Sequence, residues 1–142
     1  MRRTRVFVDS SVLIAAALSE KGAARELIRK GFRGDFVICI SAKVLEEAER
    51  NLAVRAPEAL PDFHLLRGLL STKIVRLSEP TVSAAARIVS AKDAPILAGA
   101  VQARALYLAT YDRRHLLDHA ESISESLAII VATPDEVLRA ER

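Results

Sequence analysis

The stretch Val6–Ala16, VFVDSSVLIAA, decides how this chain folds. Its first three residues are β-branched or aromatic and read as the end of a buried strand. Asp9, Ser10 and Ser11 follow at once, and Asp and Ser are among the best helix N-caps. Val12–Leu18 is then wholly apolar, and it falls far short of the roughly 20 residues that cross a bilayer. A strand that runs through an acidic turn into an apolar helix opens a strand–helix–strand unit. It leaves Asp9 at the carboxyl end of the first strand.

The same alternation continues outward. The first strand is predicted over Arg5–Val8, and the helix from Ser10 or Ser11 breaks near Lys21-Gly22. It resumes as AARELIRKG and is closed by Gly31. Val37–Ile40 is the second strand, and Ser41 caps a helix through Leu52. Asp62 caps a helix over Phe63–Leu70, and Lys73–Leu77 reads as a short strand. Pro80 opens a helix to Ser90, and Asp93 caps another over Ala94–Arg104. Leu106–Ala109 and Ala128–Val131 are strands, with a helical turn after Asp112 and a terminal helix from Pro134. Strands alternating with helices predict an α/β fold, three layers α/β/α around a small central parallel sheet. No repeat, linker or low-complexity segment divides residues 1–142, so one domain is expected.

Hydrophobic residues make up 51% of the 142 and aromatics only 4%, so the core is aliphatic. Cys39 is the only cysteine, which excludes a disulfide framework and a cysteine-based zinc site. It sits in the apolar run FVICI and fits a reducing, cytoplasmic setting. The basic opening MRRTR is followed by no cleavage signal, so no targeting or membrane segment is expected. A net charge of +3 permits nucleic-acid binding without requiring it.

Four acids fall where a parallel sheet would gather them. Asp9 and Asp112 follow separate strands, and functional groups of such sheets collect beyond the strands' carboxyl ends. Asp93 heads APILAGAVQA, a helix apolar on nearly every side, where an ionised carboxylate needs a partner. In SAKVLEEAERNL the apolar face is Val44, Leu45, Ala48 and Leu52. That phase removes Glu46 and leaves Glu47 and Glu49 open. Each Asp taken singly also serves as a helix cap. Together, four carboxylates repel one another unless a cation joins them. Oxygen donors suit Mg²⁺ or Mn²⁺, and a cation in that pocket attracts phosphodiesters.

These four segments resemble the motifs of the PIN domain family of metal-dependent ribonucleases, common among toxin–antitoxin toxins. VFVDSSVLIAA is similar to the first motif, ISAKVLEEAERNL to the second, KDAPILAGAV to the third and YLATYDRRHL to the fourth. The resemblance selects Glu47 and implies that Asp9, Glu47, Asp93 and Asp112 bind Mg²⁺ or Mn²⁺. It implies hydrolysis of RNA, with activated water attacking phosphorus in line and the 3′ oxygen leaving. Ser11 and Thr110 become supporting hydrogen-bonders. Two departures stand out. Ser11 replaces a common Asn, and Arg114 and His115 stand where many members carry a further acid. The resemblance also implies an antitoxin partner and a homodimer.

Lys92, Arg113 and Arg114 are candidates for a basic rim that grips RNA. His115 and His119 have a metal-binding spacing, but no HExxH surrounds them and His64 belongs to another element. Nucleotide-binding glycine loops and a serine-hydrolase elbow are absent. The rival expectations are an inactive PIN-like RNA- or protein-binding module, and a receiver-type phosphotransfer domain. The latter lacks its phosphoacceptor Asp after a central strand.

Overall fold

The computed structural model describes residues 3–70 and 73–141. Thr4–Val8 (β1), Phe36–Cys39 (β2), Tyr107–Ala109 (β3) and Ile130–Ala132 (β4) form a parallel sheet in the order β2-β1-β3-β4. Val6 pairs with Ile38 on one side and Tyr107 on the other. β1 is therefore interior, and Val6, Phe7 and Val8 are fully buried. The chain steps from β1 to β2 and later crosses to β3 on the opposite side. That reversal opens a crevice at the carboxyl ends of β1 and β3.

Helices cover both faces, giving the expected three layers. Ser10–Leu18 (α1) starts from Asp9, whose carboxylate accepts from Ser10 N–H. Ala23–Phe32 (α2) packs on β2. Ala42–Arg55 (α3) is capped by Ser41, and Leu60–Leu70 (α4) packs against α1 and α3. Glu79–Ala85 (α5) and Ala94–Gln102 (α6) lie together, with α6 against β1 and β3. Ala120–Leu127 (α7) leads into β4. Pro134–Ala140 (α8) closes the fold behind a capping box of Thr133 and Glu136.

Glycine sets two of these spacings. A Cβ on Gly99 of α6 would lie 2.4 Å from Phe7 Cζ, and one on Gly31 of α2 would lie 2.3 Å from Ile38 Cγ1. Gly31 thus serves helix–strand approach inside α2 and does not end the helix. The left-handed residue after α2 is Gly34, at φ 90°.

Other expectations also need correction. Asp62 does not cap α4, which starts at Leu60 and carries Asp62 in its first turn. Lys73–Leu77 forms no named strand. Only Ile74 bridges to Ile40, past the end of β2, with Val75 N–H donating to Ile40 O. The helix from Pro80 ends at Ala85, and α6 ends at Gln102 rather than Arg104. Arg104 takes φ 55° in a two-bond helix stop, with Ala105 N–H on Ala100 O and Arg104 N–H on Val101 O. The last strand begins at Ile130, because Ala128 is the left-handed cap of α7.

Cys39 is buried in this core, and that burial pushes its thiol above the ordinary range. A protonated, enclosed thiol is a poor nucleophile. Iodoacetamide is expected to modify it about 100-fold more slowly in the native protein than in urea. Equal rates would place Cys39 at the surface.

Candidate metal centre

The centre begins where β1 ends. Asp9 is 6% exposed. Its Oδ1 accepts from Ser10 N–H at 2.7 Å. Its Oδ2 accepts from Ser11 Oγ at 3.0 Å and Thr110 Oγ1 at 2.8 Å. Each hydroxyl has one proton, and both point to Asp9. Each then takes a backbone N–H from the loop after β3. Ser11 Oγ accepts from Tyr111 N at 3.0 Å, and Thr110 Oγ1 from Asp112 N at 3.0 Å. Asp9, Ser11 and Thr110 thereby lock the start of α1 to the end of β3. Ser11, the departure from the common Asn, is fully used in this lock.

Glu47 reaches the same place from α3. Ser10 Oγ lies 3.3 Å from Glu47 Oε2 and 3.4 Å from Asp9 Oδ1. Lys43 lies one turn back on α3, its Nζ 3.9 Å from Glu47 Oε1. Glu49 is turned to α4 instead, where His64 and Arg67 meet it at 2.9 and 3.0 Å. Those contacts, the His64 hydrogen bond first, hold the Glu49 carboxyl below its usual range. The two candidates that helical phase left open are thus on different surfaces.

Asp93 heads α6 and is 8% exposed. Its side chain makes no capping bond to the helix. It accepts instead from Ser90 Oγ at 2.6 Å. The side-chain capping role expected for it is therefore absent, and among the described residues a buried carboxylate is left with one hydroxyl donor. Asp112 accepts from His115 N–H at 3.0 Å, and His115 Nδ1 sits 3.2 Å from both its oxygens. With Nδ1 donating, Nε2 is the nitrogen left as acceptor. One donor atom each from Asp93, Asp112 and His115 lie within 4.8 Å of one another.

Asp9, Glu47, Asp93 and Asp112 all line one open cleft of about 340 Å³, with Lys92, Tyr111 and His115. Burial, then the field of Asp135, pushes the Tyr111 hydroxyl above its usual range. The model of the PIN domain matches residues 5–114. The chain belongs to the PIN domain family. No curated protein and no solved structure gave a match. PIN domains are in general nucleases that use divalent metal. The matched span carries β1 to β3 and all four acids, and it stops before α7, β4 and α8.

The donors present fit such a metal. Carboxylate oxygens suit Mg²⁺ and Mn²⁺, and one imidazole nitrogen beside them is softer than oxygen. Asp9 and Glu47 fall outside the tight group of three donors. Internal donors already converge on Asp9, and Glu47 stands across the cleft at Ser10 and Lys43.

Sequence spacing paired His115 with His119, yet its partner is Asp112, three residues away. Ser90 is likewise three residues from its acid, Asp93. Both pairs are side chain–acid contacts inside tight turns, and only the i, i+3 interval signals them. Ser10 stands at a helix start, and its link to Glu47 needs the tertiary fold. Arg113 and Arg114 are exposed and do not line the cleft, whereas Lys92 does.

Proposed function

We propose that this PIN domain is a metal-dependent endoribonuclease that hydrolyses RNA phosphodiester bonds, the toxin of a toxin–antitoxin pair. The observation that carries the reading is the convergence of Asp93, Asp112 and His115 on one point of a cleft that Asp9 and Glu47 complete. Asp93, Asp112 and His115 would hold Mg²⁺ or Mn²⁺, with Asp9 and Glu47 across the cleft as further carboxylates. A bound divalent cation supplies activation of water and charge stabilisation at the leaving oxygen. The residues do the rest. Ser11 and Thr110 fix Asp9, Ser90 orients Asp93, and Glu47, held between Ser10 and Lys43, would take a proton from water. Tyr111 keeps its proton near neutral pH and is a donor toward the phosphate.

The imidazole tilts the donor set from Mg²⁺ toward Mn²⁺. Mn²⁺ is therefore expected to support cleavage several-fold better than Mg²⁺ at equal concentration, and His115→Asn to narrow that gap. The assay uses purified protein, a labelled RNA, each metal and EDTA. Cleavage that continues in EDTA sinks the reading. Calorimetry that finds no divalent metal binding while RNA still binds favours a binding module.

An antitoxin and a homodimer belong to the same proposal, as does a cytoplasmic setting. The apolar side chains Phe32, Leu65 and Leu69, exposed along α2 and α4, support a protein partner. No helix among the described residues is long and apolar enough to cross a membrane.

A further inference from the structure

The cleft does not end at Glu47. A second hollow of about 440 Å³ shares Ser10, Glu47 and Lys92 with it and continues along α3. Its outer wall is Arg50, Asn51, Val54 and Arg55. Counted from Glu47, these stand at intervals of three, four, seven and eight residues, which is one face of a helix. The eight residues cover about 12 Å. The adjoining face, Val44, Leu45, Ala48 and Leu52, is buried, so the orientation of this wall is fixed by the core.

Its charge differs from that of the neighbouring helices. Arg25, Arg29, Arg67 and Arg139 each pair with a carboxylate. Arg50, Arg55 and Lys92 form no ion pair among the described residues. Arg55 in the last turn complements the helix end, but Arg50 is mid-helix and gains nothing of that kind. Val54 is 80% exposed beside them, an apolar surface set among cations. Asn51 offers one amide with both donors and an acceptor. The only acid in this wall is Glu47, at the inner end.

We propose that a single RNA strand leaves the metal centre along this face of α3, its phosphates held by Arg50, Arg55 and Lys92. This rests on the nuclease reading above. About 12 Å accommodates roughly three phosphates at the stacked spacing of about 3.4 Å per nucleotide, and three cations line it. A guanidinium fork meets phosphate oxygens in pairs. Val54 supports a sugar or base, and Asn51 reads one base edge. The strand is gripped on one side of the scissile bond, so cleavage position is counted from that side.

The test uses a fluorescent eight-nucleotide RNA and the Asp93→Asn protein in EDTA, where no cleavage competes. Arg50→Gln and Arg55→Gln are each expected to weaken binding about 5- to 10-fold and to flatten the salt dependence by about 0.7 per residue. Asn51→Ala is expected to erase a base preference at one position. Arg139→Gln on α8, paired with Asp135, is the unaffected control. In the cleaving protein, Arg50→Gln should raise KM more than it lowers kcat. Unchanged affinity and salt slope in both arginine variants overturn the groove. So does competition by polyglutamate equal to that by RNA, which assigns the wall to an acidic polypeptide. If the protein cleaves nothing but the arginine variants still lose RNA, the nuclease reading falls and the groove stands.

Discussion

Asp93→Asn is expected to end RNA cleavage and, at the same time, to make the metal-free protein more stable. The two effects share one cause. Asp93 is buried, its side chain has one hydrogen bond among the described residues, from Ser90, and an oxygen of Asp112 lies within 4.8 Å of its own. Without a cation, two carboxylates at that distance repel. Asparagine keeps an oxygen for Ser90 Oγ and removes one charge. The gain is about 1 kcal/mol, or about 3 °C in Tm for a chain of this length. The same change deletes a ligand, so kcat/KM is expected to fall at least about 100-fold. Mn²⁺ at about 100 times its Kd should stabilise the wild type by about 2.7 kcal/mol and the variant much less. The melting order therefore inverts between EDTA and Mn²⁺. Asp9→Asn makes the contrast, because its new amide would face Ser10 N–H or the two hydroxyls. That variant is expected to lose stability as well as activity. An Asp93→Asn protein that melts lower in EDTA, or cleaves normally, would make Asp93 part of the fold rather than of a cation site.

The fold was legible because its strands are short, apolar and separated by strong stops. Val6–Val8 is buried on both faces, so it reads as an unbroken apolar run. Ser41 caps its helix through its hydroxyl, and Pro80 stands in the first turn of α5, as expected. Failures came where tertiary contacts decided. Ile123 is the sole buried residue of α7, so AESISESL carries too little apolar pattern to read as a helix. Missing α7 moved the start of β4 toward Ala128. Gly31 has the look of a helix stop, yet only the position of Ile38 shows why it lacks a side chain. At the site, the acids could be proposed from their place after strands. What could not be read was which hydroxyl, amide or imidazole completes each of them. Those partners stand on other elements, as Thr110 does for Asp9, or in turns too tight to show periodicity, as His115 does for Asp112. The basic wall of α3 escaped notice because Arg50 and Arg55 resemble ordinary exposed helix residues until Lys92 stands opposite.

Gly99→Ala is expected to destabilise the protein by about 3 kcal/mol, the upper part of the range for overpacked cores. The added carbon would stand 2.4 Å from Phe7 Cζ and 2.6 Å from Cε2. Phe7 has no exposed surface in the interior strand, so its ring has nowhere open to turn. The remaining response is for α6 to lift from β1. That movement matters for chemistry, since α6 begins at Asp93 and β1 ends at Asp9. A displacement of about 1 Å between catalytic groups costs on the order of 100-fold in rate. Stability and cleavage should therefore fall together. Phe7→Leu on its own leaves a cavity and costs about 1–2 kcal/mol. Combined with Gly99→Ala it supplies the missing room, so the pair should cost less than the sum by about 2 kcal/mol, within the range for residues in contact. Gly68→Ala in α4 makes the control. Among the described residues no side chain and no backbone outside its own helix lies within 4 Å of a Cβ there, and Ala in a helix interior gains up to about 1 kcal/mol over Gly. One substitution type thus carries opposite signs at two helix glycines. Strict additivity of Gly99→Ala and Phe7→Leu in denaturant melts would show that this contact does not set the height of α6, nor through it the place of Asp93.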